Sequence, residues 1–130
     1  WKEVERAIEI DRTLQAFRAD GIAVTYHACD VSDRAPLAAT LDRIRKQDGP
    51  ISGVIHGAGL EAACRFDKKK RDLVAATLGV KVDAAVHLAA LTADDPLEYF
   101  LGFGSTSGRF GGMGQCDYSM ASDMLCKLCA

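Results

Sequence analysis

Apolar residues recur along the chain at two different spacings, which alternate from one segment to the next. In the helix-period segments they return every three or four residues, as Val4 and Ile8, and Leu14 and Phe17, illustrate. In the strand-period segments they form short β-branched runs bounded by glycine, proline or polar residues. The pattern predicts helices at about 1–20, 33–48, 67–91 and from 117 onward, and strands at 22–28, 51–56 and 97–103.

Helices that alternate with short strands favour an α/β fold with a parallel sheet and right-handed crossovers. The whole chain, residues 1–130, is expected to form part of one domain. In open parallel sheets, ligands bind at the carboxyl ends of the strands. The residues that directly follow each strand are therefore the candidates for chemistry, and a glycine-rich loop is expected from Gly104 to Gly114.

Composition excludes several classes of protein. The 130 residues are 48% hydrophobic and 26% charged, with 16 basic and 18 acidic side chains. Nucleic-acid and membrane-surface proteins carry a basic excess or a basic stripe, so neither partner is expected. The one basic run, Lys68 to Arg71, is flanked by aspartates and is interpreted as a solvated face. We identify no apolar stretch that approaches the roughly 20 residues of a membrane span.

The five cysteines are an odd number without the spacing of a small secreted fold, which indicates a reducing, cytoplasmic location. Cys126 and Cys129 form a lone C-x-x-C without a second pair of ligands. A zinc or redox role is the alternative, and free thiols buried or half-buried on a helix are the preferred interpretation. No metal site is predicted.

Polar side chains gather after the predicted strands and on the helices between them. Ser105 follows the third strand, Tyr118 opens the last helix, and Ser122 lies one turn further on the same face. Lys81 lies midway along the long helix between the second and third strands. A phenol can donate a proton to a developing alkoxide, and a serine hydroxyl can hold a carbonyl oxygen. This set of residues therefore indicates carbonyl chemistry.

The motifs at these positions carry a resemblance to a known family. Lys81 precedes Ser105 by 24 residues and Tyr118 follows it by 13. The chain resembles the ketoreductase domain of type I polyketide and polyunsaturated fatty acid synthases, a branch of the short-chain dehydrogenase/reductase family. The motifs that carry the resemblance are Cys-Asp-Val-Ser-Asp at 29–33, Gly-Pro-Ile at 49–51, His-Gly-Ala-Gly at 56–59, Lys-Val at 81–82, Phe-Gly-Ser-Thr-Ser at 103–107 and Gly-Gln-Cys-Asp-Tyr at 114–118.

The resemblance implies a Rossmann-like three-layer fold, incomplete here, with about three strands and four helices. It implies NADPH-dependent reduction of a β-ketoacyl thioester to the β-hydroxyacyl thioester. Ser105 would orient the keto oxygen and Tyr118 would protonate it. Lys81 would assist Tyr118 as the proton donor and would help to place the nicotinamide ribose. Ser122 would take part in the proton relay. The cofactor would lie along Asp30, Val31, His56, Gly57, Ala58 and Gly59, in addition to Lys81 and Tyr118.

The implied partner is an acyl carrier protein that presents the substrate on phosphopantetheine, beside other synthase domains in the same chain. The family's first strand, its glycine-rich phosphate turn, the next helix and the second strand would all precede Trp1. The chain is therefore expected to be the catalytic half of a larger domain, and inactive by itself.

Five positions, at three places in the chain, depart from the family pattern. Ser122 stands where the family usually has Asn, and Phe110 stands where one stereochemical class has Trp. Glu61, Ala62 and Ala63 replace the Leu-Asp-Asp of the other class. The handedness of the product is therefore not predicted.

Two other functions remain open. The first is a catalytically silent structural subdomain, which the serine at position 122 favours and the retained Lys81, Ser105 and Tyr118 disfavour. The second is a separate nucleotide-binding module. In that case the glycines at 102, 104 and 108 would cradle phosphates, and Asp123 would bind a ribose.

Overall fold

The computed structural model describes residues 1–129, and it confirms an α/β arrangement that is rich in helix. The two strands are β1 (Gly53–His56) and β2 (Tyr99–Gly102). A short 3-10 turn (Phe66–Lys68) and a π-helical turn (Gly79–Asp83) flank the helix Arg71–Leu78. The helices are α1 (Lys2–Ala19), α2 (Arg34–Asp48), α3 (Arg71–Leu78), α4 (Ala84–Leu91), α5 (Thr106–Phe110) and α6 (Cys116–Leu128).

The two strands pair in parallel, as predicted, with Gly53 opposite Tyr99 and His56 opposite Gly102. Backbone bonds extend the pairing at both ends, from the Glu98 amide to the Ser52 carbonyl at 2.7 Å and from the Phe103 amide to the His56 carbonyl at 2.9 Å. The crossover between them runs through α3 and α4. Both strands therefore end at the same edge of the sheet, where the candidate residues follow them.

The predicted strand at 22–28 is wrong, so the described residues contain two strands rather than three. Among these residues, β1 and β2 bond to each other, and no backbone bond joins 22–28 to either of them. A strand requires a partner for its amide and carbonyl groups. The β-branched run at 22–28 indicates a local preference for extended backbone, but it does not supply a partner strand.

The predicted long helix begins later and contains a π-helical turn. It starts at Arg71 rather than 67, and the π-helical turn separates α3 from α4. Arg71–Leu91 forms 21 continuous helical residues whose mean hydropathy reaches 1.5, enough in length and composition to cross a membrane. The expectation that no apolar stretch approaches the length of a membrane span is therefore wrong. Helices in the core of a globular domain can have the same length and hydropathy. This helix packs against α2 and α6, and it buries the charged Lys81.

A short helix replaces part of the predicted glycine-rich loop. Ser105 is the N-cap of α5, and its hydroxyl accepts a hydrogen bond from the Ser107 amide at 3.2 Å. Gly111 ends the helix with a φ of 74°, a left-handed conformation that favours glycine. The cap and the glycine were both visible in the sequence. Five residues are too few for a hydrophobic period to reveal the helix.

The hydrophobic core lies between α2, the sheet, α4 and α6. Periodicity predicts an apolar face of α2 at Leu37, Leu41 and Ile44, of which Leu37 and Leu41 are buried and Ile44 is half-buried. By contrast, Val4, Ile8 and Phe17 of α1 are exposed. The buried apolar residues are Leu37, Leu41, Val54, Val82, Ala84, Ala85, Ala121 and Leu125.

One ion pair joins three segments around this core. Arg45 on α2 donates to both carboxylate oxygens of Asp95, at 2.7 Å to Oδ2, and also to the Leu91 carbonyl at the end of α4. The Asp95 carboxylate in turn accepts from the Ile51 amide, just before β1. The hydrogen bond from Arg45 lowers the pKa of Asp95, an effect that desolvation opposes and the Ile51 bond reinforces.

We predict that Asp95→Asn lowers the melting temperature of the polypeptide that carries this chain, and that the loss depends on pH. Because the folded-state pKa of Asp95 is depressed, its contribution to stability is present above the ordinary aspartate pKa of about 4. It is lost as the pH falls through the folded-state value. Melting temperatures of both proteins between pH 7 and pH 2 should converge in acid. A constant difference would contradict this assignment.

Candidate active site

A pocket of about 600 Å³ opens at the carboxyl ends of β1 and β2, where the sequence predicted the chemistry. It brings together Lys81 from the π-helical turn and Tyr118 from the first turn of α6. The lining residues are Gly57, Gly59, Glu61, Lys81, Phe103, Gly104 and Tyr118. A second cavity of about 650 Å³, between α4, β2 and α6, is lined by apolar residues and Cys129 and holds no comparable set of polar groups.

Lys81 and Tyr118 are in direct contact. The Lys81 Nζ atom lies 4.7 Å from the centroid of the Tyr118 ring, and only 3% of Lys81 is exposed. An ammonium group at this distance is attracted by the face of an aromatic ring. Gly59 borders the same ammonium, because a Cβ atom built there would lie 3.8 Å from Lys81 Nζ. The two predicted residues thus share one side of the pocket.

His56 occupies a different position from the predicted one. Its ring is buried, with 3% exposure, and Nε2 lies 3.0 Å from the Lys81 carbonyl oxygen. Since a carbonyl oxygen only accepts, this nitrogen donates. His56 therefore does not line the pocket, and it holds the turn that carries Lys81. The expected contact of His56 with the cofactor stays a prediction, and in the structure its side chain supports the turn that carries Lys81.

Of the two candidate serines, Ser105 lies at the border of the pocket and Ser122 lies outside it. Ser105 is half-buried and directly follows Gly104, which lines the pocket. Ser122 has no exposed surface, and its hydroxyl has no hydrogen-bond partner among the described residues. It packs against α5, since a Cβ atom on Gly108 would lie 3.1 Å from Ser122 Cβ. The role of Ser122 in the proton relay stays a prediction, and its side chain is not among those that line the pocket.

The predicted adenine-side residues lie away from this pocket. Asp30 is exposed, and its Oδ1 atom accepts from the hydroxyl and the amide of Ser32, at 2.7 and 2.9 Å. These hydrogen bonds, chiefly that of the hydroxyl, lower the pKa of Asp30. Val31 is half-buried beside it. Within the described chain, neither residue lines the pocket, and Ala58 lies between two glycines that do.

A network that the sequence did not reveal closes one side of the site. The Gln115 side chain donates to the Glu61 carboxylate, and its Oε1 atom accepts from the Ser107 hydroxyl at 3.0 Å. It thereby joins the loop after β1 to α5. Glu61 had been noted only as a departure from the family motif. No spacing rule links positions 61, 107 and 115, so the sequence contained no signal for this contact.

The second missed feature is a buried ion pair next to Tyr118. Lys69 Nζ lies 2.7 Å from Asp117 Oδ1, and the side chains are 4% and 2% exposed. The interpretation of residues 68–71 as a solvated face is wrong for Lys69. Burial opposes ionisation of Asp117, but the hydrogen bond from Lys69 and that from the Tyr118 amide outweigh it, so the pKa of Asp117 is lowered. The hydrogen bond to Asp117 raises the pKa of Lys69.

The glycines of the possible phosphate loop are explained by packing. A Cβ atom on Gly104 would lie 2.6 Å from Cys126 Sγ, and one on Gly108 would lie 2.9 Å from the Asp123 amide nitrogen. Gly108 also lies inside α5 rather than at the start of a helix. The absent side chains allow α5 and β2 to approach α6 closely. This gives the glycines a structural role that requires no nucleotide.

The cysteines of the C-x-x-C segment, Cys126 and Cys129, are free and exposed, so the expected burial is wrong. Throughout residues 1–129, no group of three or more His, Cys, Asp or Glu side chains could hold a metal ion. The C-x-x-C therefore lacks the further ligands that a zinc site requires.

Comparisons with known proteins agree with this geometry. The profile of the KR domain family matches residues 4–130. Polyketide synthase PksL of Bacillus subtilis is 36% identical over 85% of the chain, and the mycoketide-CoA synthase of Mycobacterium tuberculosis is 41% identical over 86%. The chain spans only 2% and 3% of the lengths of these two relatives.

Solved structures give the same result. An N-terminal ketoreductase from the macrolactin assembly line superimposes with a TM-score of 0.86 and 28% identity, covering 89% of this chain and 24% of that structure. A ketoreductase domain from the bacillaene assembly line superimposes with a TM-score of 0.84 and 33% identity, covering 88% and 27%. The chain is thus similar to about a quarter of each of these structures, and the Rossmann-like fold is confirmed.

We predict that Gly108→Ala destabilises the fold by about 1–3 kcal/mol, the usual cost of overpacking, because the new methyl group meets the backbone of α6. The control is Arg109→Ala at the exposed neighbouring position, which should change stability by less than about 0.5 kcal/mol. Chemical denaturation measures both. A phosphate-binding role for this segment would instead appear as lost nucleotide affinity with unchanged stability.

Proposed function

The chain belongs to the KR domain family of polyketide synthases, within the short-chain dehydrogenases/reductases, and we propose that it is the catalytic half of an NADPH-dependent β-ketoacyl reductase. The observation that carries the proposal is the contact of the buried Lys81 ammonium with the Tyr118 ring, in a pocket at the carboxyl ends of both strands. A phenol beside an ammonium suits a proton donor for a carbonyl oxygen that becomes an alkoxide.

The pocket suits the nicotinamide end of the cofactor. Gly57 and Gly59 leave the backbone open to close approach, and Lys81 offers the only ammonium among the lining residues. We propose that these three residues hold the nicotinamide ribose. Asp30 and Val31, which do not line the pocket, are proposed to follow the adenine. When bound, NADPH supplies the hydride that attacks the keto carbon.

In this proposal the chain's own residues handle the oxygen and the proton. Ser105, next to Gly104 at the pocket border, orients the keto oxygen through its hydroxyl. Tyr118 donates its phenolic proton to that oxygen as negative charge develops. Lys81 stabilises the resulting phenolate electrostatically. Glu61, held by Gln115, forms part of the pocket wall.

We propose a β-ketoacyl thioester on phosphopantetheine as the substrate, presented by an acyl carrier protein in the cytoplasm, with other synthase domains in the same polypeptide. The solved relatives are described as ketoreductases from assembly lines, which supports this class of substrate. A catalytically silent subdomain is the second candidate, because Ser122 is buried away from the pocket at the position where the family usually has Asn.

We predict that Tyr118→Phe, in the polypeptide that carries this chain, lowers kcat for reduction of a β-ketothioester by about 10²–10⁴-fold, the usual contribution of general acid catalysis. The affinity for NADPH should remain nearly unchanged, because the ring and its contact with Lys81 are retained. NADPH oxidation and a separate binding titration measure the two effects.

The matched control is Tyr99→Phe, which removes an exposed hydroxyl from β2 and should leave kcat unchanged. A loss of less than tenfold for Tyr118→Phe would remove Tyr118 from the role of acid. If the unaltered polypeptide binds NADPH but reduces no β-ketothioester, the silent subdomain is the correct alternative.

A further inference from the structure

Lys69 connects two segments that border the pocket. Its ammonium donates to Asp117 Oδ1 at 2.7 Å and to the Ala62 carbonyl at 2.8 Å. Asp117 belongs to the first turn of α6, whereas Ala62 lies in the loop that follows β1. A backbone bond from the Cys64 amide to the Gly114 carbonyl, at 3.0 Å, joins the same loop to the segment before α6. The loop and the helix are therefore fixed to each other.

The same carboxylate oxygen also contacts the backbone of Tyr118, the candidate acid. Asp117 Oδ1 also accepts from the backbone amide of Tyr118 at 3.0 Å. Lys69 thus holds the carboxylate, and the carboxylate holds the backbone of Tyr118. A displacement of about 1 Å at a reacting group can cost about 10²-fold in rate.

Stability alone does not account for a buried pair of this kind. Removing two charges from water is costly, and apolar residues of similar volume often replace such pairs without loss of stability. Asp117 Oδ2 is also buried without a hydrogen-bond partner in the described structure, which adds to the cost. The bonds that the pair does make all lead to the borders of the pocket.

We propose that Lys69 and Asp117 are positioning residues, which set the Tyr118 ring against Lys81 for proton donation. The inference rests on the proposed function, which it deepens. It assigns a task to two residues that lie outside the pocket lining and do not touch the substrate. Their effect is exerted on the rate of the chemical step rather than on binding.

The test compares four variants of the polypeptide that carries this chain. Lys69→Met leaves Asp117 buried and unpaired, whereas the double variant Lys69→Met/Asp117→Leu removes both charges and avoids that penalty. Asp117→Asn keeps an oxygen that accepts from Lys69 and from the Tyr118 amide. Lys127→Met is the control, because its partner Asp123 is on the same helix and the side chains are 74% and 45% exposed.

We expect Lys69→Met and the double variant to lower kcat by about 10–100-fold with KM within about threefold, consistent with misplacement of a reacting group. The double variant should melt within a few degrees of the unaltered protein. Asp117→Asn and Lys127→Met should keep kcat within about threefold. A folded double variant with unaltered kcat would overturn the proposal, as would an Asp117→Asn loss equal to that of Lys69→Met.

A second measurement is independent of activity and of the proposed function. 3-Fluorotyrosine placed at position 118 reports the surroundings of the ring through its fluorine resonance. We expect the resonance to shift or broaden in Lys69→Met and to stay unchanged in Lys127→Met. An unchanged resonance in Lys69→Met would overturn the positioning role. If the unaltered polypeptide reduces no thioester, the proposed function fails. The fluorine resonance still shows whether Lys69 positions the Tyr118 ring.

Discussion

The position of His56 is the constraint on which the rest of the site depends. Its backbone carbonyl accepts from Phe103, which continues the pairing of β1 with β2. Its side chain donates to the Lys81 carbonyl, which fixes the π-helical turn of the long helix. One residue therefore joins the sheet to the helix behind it. π-Helical turns are frequent at functional sites, and here the turn directs a lysine from a hydrophobic helix into the pocket.

The other wall of the site depends on charged groups removed from water. Tyr118 lies at the start of α6, where Asp117 bonds its amide and Lys69 neutralises Asp117. Gln115, in the preceding turn, holds Glu61 over the same pocket. Low dielectric strengthens the buried Lys69–Asp117 pair and makes its loss costly, whereas the Glu61 carboxylate stays exposed. The site thus combines a rigid apolar base, formed by the sheet and α4, with a polar wall built by the loops.

The sequence predicted those parts of the structure that local patterns encode. Parallel pairing of β1 with β2 and the buried face of α2 follow from periodicity, and the place of the pocket follows from the carboxyl-end rule for parallel sheets. The strand at 22–28 failed because pairing depends on a partner that the segment itself does not specify. The sequence also did not predict the burial of Lys69 or the inward-facing ring of His56. Both depend on contacts between residues 25 to 48 positions apart, which no local pattern reveals.

The family resemblance named Lys81 and Tyr118, which meet in the pocket, whereas the position of Ser122 follows from packing against Gly108. Transfer of deuterium tests the central claim most directly. The polypeptide that carries this chain is incubated with NADPH deuterated at C4 of the nicotinamide, on the transferred face, and a β-ketothioester. The account predicts one deuterium on the β-carbon of a β-hydroxythioester. A hydroxy product without deuterium, or no product despite bound NADPH, would contradict it.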